Sequence, residues 1–164
     1  MNYTVPDICD DFLSRIQVLE PLFTEFGGSN KFSGEVVTIK CFEDNSLVKQ
    51  TLATDGHDKV LVVDGGGSLR CALLGDMLGA MAAKNGWQGV LINGCVRDVE
   101  ILKNINLGVR ALNCHPLKSE KRNEGQLNIR LHFAGVEFKP GQYLYADENG
   151  IVVAHTQLNL SLNL

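Results

Sequence analysis

One stretch constrains the fold of this chain more than any other: a run of apolar residues that ends in an aspartate and a glycine triplet. Residues 60–64 read Val-Leu-Val-Val-Asp, and Gly65, Gly66 and Gly67 follow. A short, nearly continuous apolar run bounded by glycine is typical of a strand buried on both faces. Such strands belong to parallel sheets that are covered by helices, so the stretch predicts an α/β fold.

Alternating strand and helix patterns follow this run. They predict a helix, a strand ending at Asn93-Gly94, a second helix and a further strand, over residues 75–84, 90–92, 98–105 and 109–112 respectively. Strands separated by single helices are parallel and joined by right-handed crossovers. Because ligands of open α/β sheets bind outside the carboxyl ends of the strands, we look for a site in the loops there.

The flanking regions have other patterns. Before the apolar run we predict a helix over 6–13, a strand over 34–42 and a helix over 46–53. After residue 125, short alternating runs separated by turn residues are typical of antiparallel hairpins, at 127–133, 136–139, 143–146 and 151–154. At 164 residues, the chain is expected to form one domain over residues 1–164.

Charge and cysteine usage exclude some classes of function. The net charge of −4 and the lack of a basic block argue against direct nucleic-acid binding, and we expect Lys118, Lys121 and Arg122 to be a solvated loop. No run approaches 18 apolar residues and the N-terminal region is acidic, so we expect no membrane span and no signal peptide. The five cysteines show no C-x-x-C pair, which is typical of reduced thiols in a cytoplasmic protein.

The first candidate site is the segment Gly75-Asp76-Met77-Leu78. If Gly75 precedes a helix, the next backbone amides lack intrahelical acceptors, and they could bind a carboxylate at the positive end of the helix. Asp76 could alternatively do no more than cap that helix, and the spacing does not separate the two hypotheses.

The second candidate site is Arg97-Asp98, which follows the next strand. A guanidinium matches a carboxylate in two places, and a carboxylate is a hard oxygen ligand suited to Mg²⁺ or Mn²⁺. The alternative is a surface arginine beside a helix-capping aspartate. The combination favours a site, because two acids, an arginine and helix amides fall at one predicted edge of the sheet.

The glycine triplet invites a third hypothesis, a nucleotide or S-adenosylmethionine site. Such fingerprints need glycine in a G-x-G-x-x-G pattern, and Ser68 and Arg70 occupy positions where glycine would stand. We therefore interpret the triplet as a tight turn that flanks the pocket.

Several segments together resemble one known family. They are Pro6–Asp10, Phe26–Gly28, Gly34–Asn45, Val60–Leu69, Gly75-Asp76, Gly94–Asp98 and Tyr143–Gly150. The chain resembles the family that joins the regulator of ribonuclease activity A to the class II 4-hydroxy-4-methyl-2-oxoglutarate aldolases. The aldolase signature Asp-x20-Arg-Asp is intact as Asp76, Arg97 and Asp98, and in length and first half the chain is closest to the regulator branch.

The resemblance implies a swivelling β/β/α sandwich of the phosphohistidine-domain kind, assembled as a homotrimer or a dimer of trimers. It implies a divalent-metal-dependent aldolase that also decarboxylates oxaloacetate, both through a pyruvate enolate. Asp98 would bind the metal, Arg97 and the 75–78 amides the substrate, and Asp76 would order a water. The alternative implied function is a regulator that binds the scaffold of a ribonuclease E-type endoribonuclease. The tail beyond Ala154 is short, so contacts that aldolases draw from a longer C-terminus are not expected here.

Overall fold

The computed structural model of the protein describes residues 2–161. In that range the helices are α1 (Val5–Phe12), α2 (Ser46–Leu52), α3 (Asp76–Lys84) and α4 (Val99–Leu102), with a 3₁₀ turn at Leu13–Arg15. The strands are β1 (Ile16–Val18), β2 (Thr24–Glu25), β3 (Phe32–Lys40), β4 (Lys59–Asp64), β5 (Ala72–Leu74), β6 (Gly89–Val96), β7 (Gly108–Cys114), β8 (Gln126–Leu127), β9 (Leu131–Phe133), β10 (Val136–Phe138), β11 (Tyr143–Asp147) and β12 (Gly150–Ala154).

One mixed sheet contains ten of these strands. Its main path runs β1-β12-β11-β3-β4-β6-β7-β2, with β5 added to β6 and β8 added to β3. The neighbours β3, β4, β6 and β7 are parallel, whereas β11, β12 and β1 pair antiparallel at one side. The predicted α/β class, with parallel strand–helix units followed by antiparallel hairpins, is confirmed.

Both faces of the parallel strands are buried, which explains the continuous apolar run of β4. Leu61 and Val63 face a core that also contains residues of the helices, while Val60 and Val62 face a second core covered by the β9–β10 hairpin. A third cluster packs α1 against β11 and β12. Near the end of the described range, Leu158 is buried in this third cluster.

Three sequence-based boundaries were wrong. The strand predicted to end at Asn93-Gly94 continues as β6 to Val96, across a register shift. The helix predicted over 98–105 is only the four-residue α4, because the asparagines and glycine that follow it are poor helix formers. The strand predicted over 127–133 is split into β8 and β9, since Asn128 has a positive φ of 55°.

Two predicted absences can be compared with the described residues. Within residues 2–161, no helix is long and apolar enough to cross a membrane. All five cysteines, which lie in this part of the chain, are free thiols.

Candidate active site

A short strand that the sequence did not predict brings the two candidate segments together. β5 runs parallel to the carboxyl-terminal half of β6, with Leu74 beside Val96. The amide of Arg97 donates to the carbonyl oxygen of Leu74 at 2.9 Å. Both strands therefore end at the same level, and Gly75-Asp76 and Arg97-Asp98 leave the sheet side by side.

The start of α3 has an unusual set of partners. Gly75 is the residue before the helix and has no side chain to cap it. Asp76 is the first helical residue and is not in the cap position. The Asp76 carboxylate accepts the Met77 amide at 2.8 Å. The Asp76 amide donates to Oδ2 of Asp98 at 3.2 Å. Two of the amides expected to bind a substrate carboxylate are thus held by the protein's own carboxylates, and a substrate has to take their place.

Asp98 occupies the position before α4, but its side chain does not cap that helix. Its backbone lies in the left-handed region, with φ 56° and ψ 41°, and its side chain makes no cap hydrogen bond to α4. Aspartate is among the few non-glycine residues that adopt this conformation readily. The conformation directs the carboxylate across to α3, so the capping alternative for Asp98 is wrong.

Arg97 is only loosely held. Its Nε lies 3.9 Å from Oδ2 of Asp98, and its Nη1 donates to the carbonyl oxygen of Pro116 at 3.4 Å. About 40% of the side chain is exposed. A long ion pair and one weak hydrogen bond leave most of the guanidinium donors available to an incoming carboxylate.

Gly75 allows this close arrangement. A Cβ placed on it would lie 2.6 Å from Oδ2 of Asp98 and 3.3 Å from Cγ of Arg97. Its φ of −134° and ψ of −161° are open to any residue, so the requirement for glycine is one of space. The backbone at Gly75 can therefore lie directly beside the Asp98 carboxylate, where a side chain would not fit.

The donor set fits a metal that keeps most of its water. Among residues 2–161, no group of three or more histidine, cysteine or acidic side chains is placed to hold a metal ion. The Asp98 carboxylate accepts the Asp76 amide at this edge of the sheet, and Mg²⁺ is commonly bound by one or two carboxylates together with waters and substrate oxygens. The residues present therefore fit Mg²⁺ or Mn²⁺ better than a metal that needs a closed protein cage.

The glycine triplet forms a close-packed turn, as predicted. Gly66 and Gly67 have φ of 69° and 72°, and the amides of Gly65 and Gly67 both donate to the carbonyl oxygen of Asn93. A Cβ on Gly65 would lie 2.9 Å from that oxygen. Because these amides are used to join β4 to β6, they are not presented to a nucleotide phosphate.

Two contributors to the site were missed by the sequence reasoning. The carbonyl oxygens of Leu74 and Pro116 hold the backbone and side chain of Arg97. Neither gives a sequence signal, because a backbone acceptor can belong to any residue type. The left-handed conformation of Asp98 could have been suspected from its residue type, but not assigned.

Comparison with known proteins identifies the family. The model of the RraA-like family, described as Aldolase/RraA, matches residues 5–153. The chain belongs to the RraA-like family. Two curated relatives carry the name "Putative 4-hydroxy-4-methyl-2-oxoglutarate aldolase". The one from Pseudomonas putida is 58% identical over 97% of this chain and 98% of its own length. The one from Azotobacter vinelandii is 58% identical over 98% and 99%.

Solved structures in the RraA-like fold carry other names. The RNA-processing inhibitor RraA from Thermus thermophilus has a TM-score of 0.95 and 40% identity, covering 99% of this chain and 98% of that one. A structure described as an S-adenosylmethionine: 2-dimethylmenaquinone methyltransferase, from Geobacillus kaustophilus, has a TM-score of 0.93 and 45% identity, covering 95% and 97%. These names assign three different functions to one fold. The function of this chain therefore has to be argued from the residues of its site.

Proposed function

We propose that this protein is a divalent-metal-dependent carbon–carbon lyase that cleaves 4-hydroxy-4-methyl-2-oxoglutarate to two pyruvates and decarboxylates oxaloacetate. The observation that carries the proposal is the convergence of Asp76, Arg97 and Asp98 around Gly75. The relatives named aldolase support the same reaction class. The glycine turn supports it by elimination, because its amides are engaged within the protein and do not form a nucleotide site.

Each residue has a separate task in this proposal. Arg97 holds the substrate carboxylate through charge-assisted hydrogen bonds, which its weak existing contacts leave possible. The amides at the start of α3, including that of Leu78, hold a second acceptor group of the substrate near the positive helix end. Asp76 orders a water that moves protons during the reaction.

Asp98 would hold the divalent cation, Mg²⁺ or Mn²⁺. When bound, the cation supplies Lewis-acid stabilisation of the negative charge that develops on the 2-oxo oxygen during cleavage. Before a substrate enters, the 3.2 Å hydrogen bond from the Asp76 amide to Oδ2 of Asp98 holds the carboxylate at this edge of the sheet. With the Asp98 carboxylate in this position, the cation, the Arg97 guanidinium and the helix amides would all act on the same side of the substrate.

The test is product release by the purified protein. With Mg²⁺ it should yield two pyruvates per molecule of 4-hydroxy-4-methyl-2-oxoglutarate, measured with a lactate dehydrogenase-coupled assay, and EDTA should stop the release. Arg97→Lys serves as the matched variant, because it keeps the charge and loses the planar fork. Equal rates with and without EDTA would contradict the metal requirement.

A second candidate function is favoured by the similarity to the RNA-processing inhibitor from Thermus thermophilus, which extends over nearly the whole chain. We infer that the protein also binds the basic, disordered scaffold of a ribonuclease E-type endoribonuclease, toward which its net charge of −4 steers encounter. A pull-down with that scaffold tests the idea independently of catalysis. Absence of micromolar binding would remove it and leave the lyase proposal intact.

Assembly and location are further parts of the proposal. We propose a cytoplasmic homotrimer, or a dimer of trimers, whose sites lie near subunit boundaries. Exposed apolar side chains beside the site, Met77 and Ile101, are consistent with burial against another subunit. Sedimentation equilibrium of the purified protein would decide among monomer, trimer and hexamer.

A further inference from the structure

A turn at the carboxyl-terminal edge of the sheet, formed by residues 115–117, lies against both strands that carry the candidate active site. The His115 amide donates to the carbonyl oxygen of Val96, the last residue of β6, at 2.9 Å. The Leu117 carbonyl oxygen accepts the first amide of β5 at 2.8 Å. The turn is therefore fastened to β6 immediately before Arg97 and also to the beginning of β5.

The middle of the 115–117 turn contacts the arginine of the site. The Pro116 carbonyl oxygen accepts from Nη1 of Arg97 at 3.4 Å. The approach of the same guanidinium to Asp98 is longer, at 3.9 Å from Nε to Oδ2. The direction in which the guanidinium points therefore depends on the direction of the Pro116 carbonyl.

The side chain of His115 restrains that carbonyl. Its Nδ1 accepts the Leu117 amide at 3.1 Å. The Leu117 N–H and the Pro116 C=O belong to one peptide group, which is planar and rigid and directs them to opposite sides. Because the proline ring already fixes φ of Pro116, rotation about ψ is the main freedom left to this peptide group. The imidazole restrains that rotation from one side, and Arg97 contacts the carbonyl on the other.

The turn requires a hydrogen-bond acceptor at this atom of residue 115. A backbone amide can only donate, so Nδ1 is unprotonated and the neutral ring carries its proton on Nε2. Asparagine can supply the same acceptor, because its side-chain oxygen also bonds the backbone amide two residues on. Asp64 and Asp147 make this bond elsewhere in the chain, at 2.9 and 2.8 Å.

We propose that His115 is a positioning residue of the active site: its Nδ1 holds the Pro116–Leu117 peptide group so that the Pro116 carbonyl directs Arg97 towards the substrate. His115 acts through Arg97 and does not itself contact the reacting atoms. The kinetic consequence rests on the proposed lyase function, whereas the geometry of the turn does not.

Two substitutions of similar size separate the acceptor from the bulk of the side chain. His115→Leu removes the acceptor and should lower kcat/KM for oxaloacetate with Mg²⁺ about tenfold, the factor expected for one hydrogen bond to a charged group. His115→Asn restores an acceptor and should recover most of that loss. Because Leu117 is exposed, water can solvate its amide, so both variants should melt within a few degrees of the parent.

His155→Leu is the matched control. His155 is exposed directly after β12, which is separated from β6 by β11, β3 and β4. The same exchange of imidazole for an isobutyl group is made there, away from Arg97. This variant should keep the kcat/KM of the parent, so a loss confined to His115→Leu reports on the turn.

NMR tests the geometry without turnover. In the parent, the imidazole ¹⁵N shifts of His115 in mildly alkaline buffer should show an unprotonated Nδ1 and a protonated Nε2. The side-chain ¹H–¹⁵Nε resonance of Arg97 should move in His115→Leu and return towards its parent position in His115→Asn. A change in stability alone would not produce this pattern, because all samples are measured folded.

Each of several results would overturn the proposal. They are a proton on Nδ1 of the parent, an Arg97 resonance unmoved in His115→Leu, parent-like kcat/KM in that variant, and His115→Asn as impaired as His115→Leu. If His115→Leu fails to fold, the parent tautomer and the activity of His115→Asn still decide. A parent without metal-dependent turnover would refute the lyase function instead, and the NMR measurements would then decide the role of His115 by themselves.

Discussion

Replacing Gly75 with alanine is the sharpest perturbation that the geometry of the site offers. The new methyl group would lie 2.6 Å from Oδ2 of Asp98, whereas ordinary contact begins at 3.4 Å. The carboxylate must therefore retreat by about 0.8 Å, or the start of α3 must move. A displacement of this size in a positioned group costs on the order of a hundredfold in rate.

The same substitution should leave the fold nearly unchanged. The backbone angles of Gly75 suit alanine. Because alanine lowers the conformational entropy of the unfolded chain, it raises the free energy of unfolding by about 0.4–1 kcal/mol. Against this stands the weakening of the 3.2 Å hydrogen bond from the Asp76 amide, worth about 1 kcal/mol. The two effects are similar in size, so the melting temperature should shift by only a few degrees.

The assay is pyruvate release from oxaloacetate at increasing Mg²⁺, with the melting temperature measured on the same samples. Gly75→Ala should lower turnover about a hundredfold and raise the Mg²⁺ concentration needed for half-maximal rate. Gly150→Ala is the matched control, because its methyl group enters open space. Parent-like turnover and metal requirement in Gly75→Ala would refute the role given to the Asp98 carboxylate.

Further predictions test the same account. Arg97→Lys and Asp98→Asn should each lower turnover about a hundredfold in steady-state kinetics, with little change in melting temperature. Asp98→Asn should also raise the Mg²⁺ concentration that the enzyme requires. Gly65→Ala would place a methyl group 2.9 Å from the Asn93 carbonyl oxygen, so it should destabilise the fold by about 2 kcal/mol in urea unfolding. Burial alone would raise the pKa of Asp44, but hydrogen bonds from the hydroxyl and amide of the serine two residues on, and from two later amides, outweigh it and lower the pKa to about 2. That stability is present above about pH 4 and lost as the pH falls towards 2, so the urea midpoint should fall over this range in the parent and less in Asp44→Asn.

The sequence was informative where a local pattern corresponds to a physical requirement. The apolar run at 60–64 predicted a strand buried on both faces, and that strand, β4, lies between two cores. Helix α3 was predicted to within one residue because Gly75 and the residues after Lys84 punctuate it clearly. The proximity of Asp76 to Arg97-Asp98 was also predicted, from the rule that parallel strands end at one edge.

The reason for that proximity was not predictable. It depends on β5, a three-residue strand that follows Arg70 and Cys71 and has no periodic signal of its own. The left-handed Asp98 and the backbone carbonyl that holds Arg97 are likewise products of tertiary contacts.

The most direct test of the central claim is the rate of pyruvate release from oxaloacetate by the parent and by Asp98→Asn, each measured with Mg²⁺ and with EDTA. The rate of Mg²⁺ alone is subtracted, because the metal decarboxylates this substrate slowly by itself. The account predicts release well above the metal-only rate in the parent, its loss in EDTA, and a loss of about a hundredfold in Asp98→Asn that leaves the melting temperature in place. A parent rate equal to that of Mg²⁺ alone, or an Asp98→Asn variant as active as the parent, would contradict it.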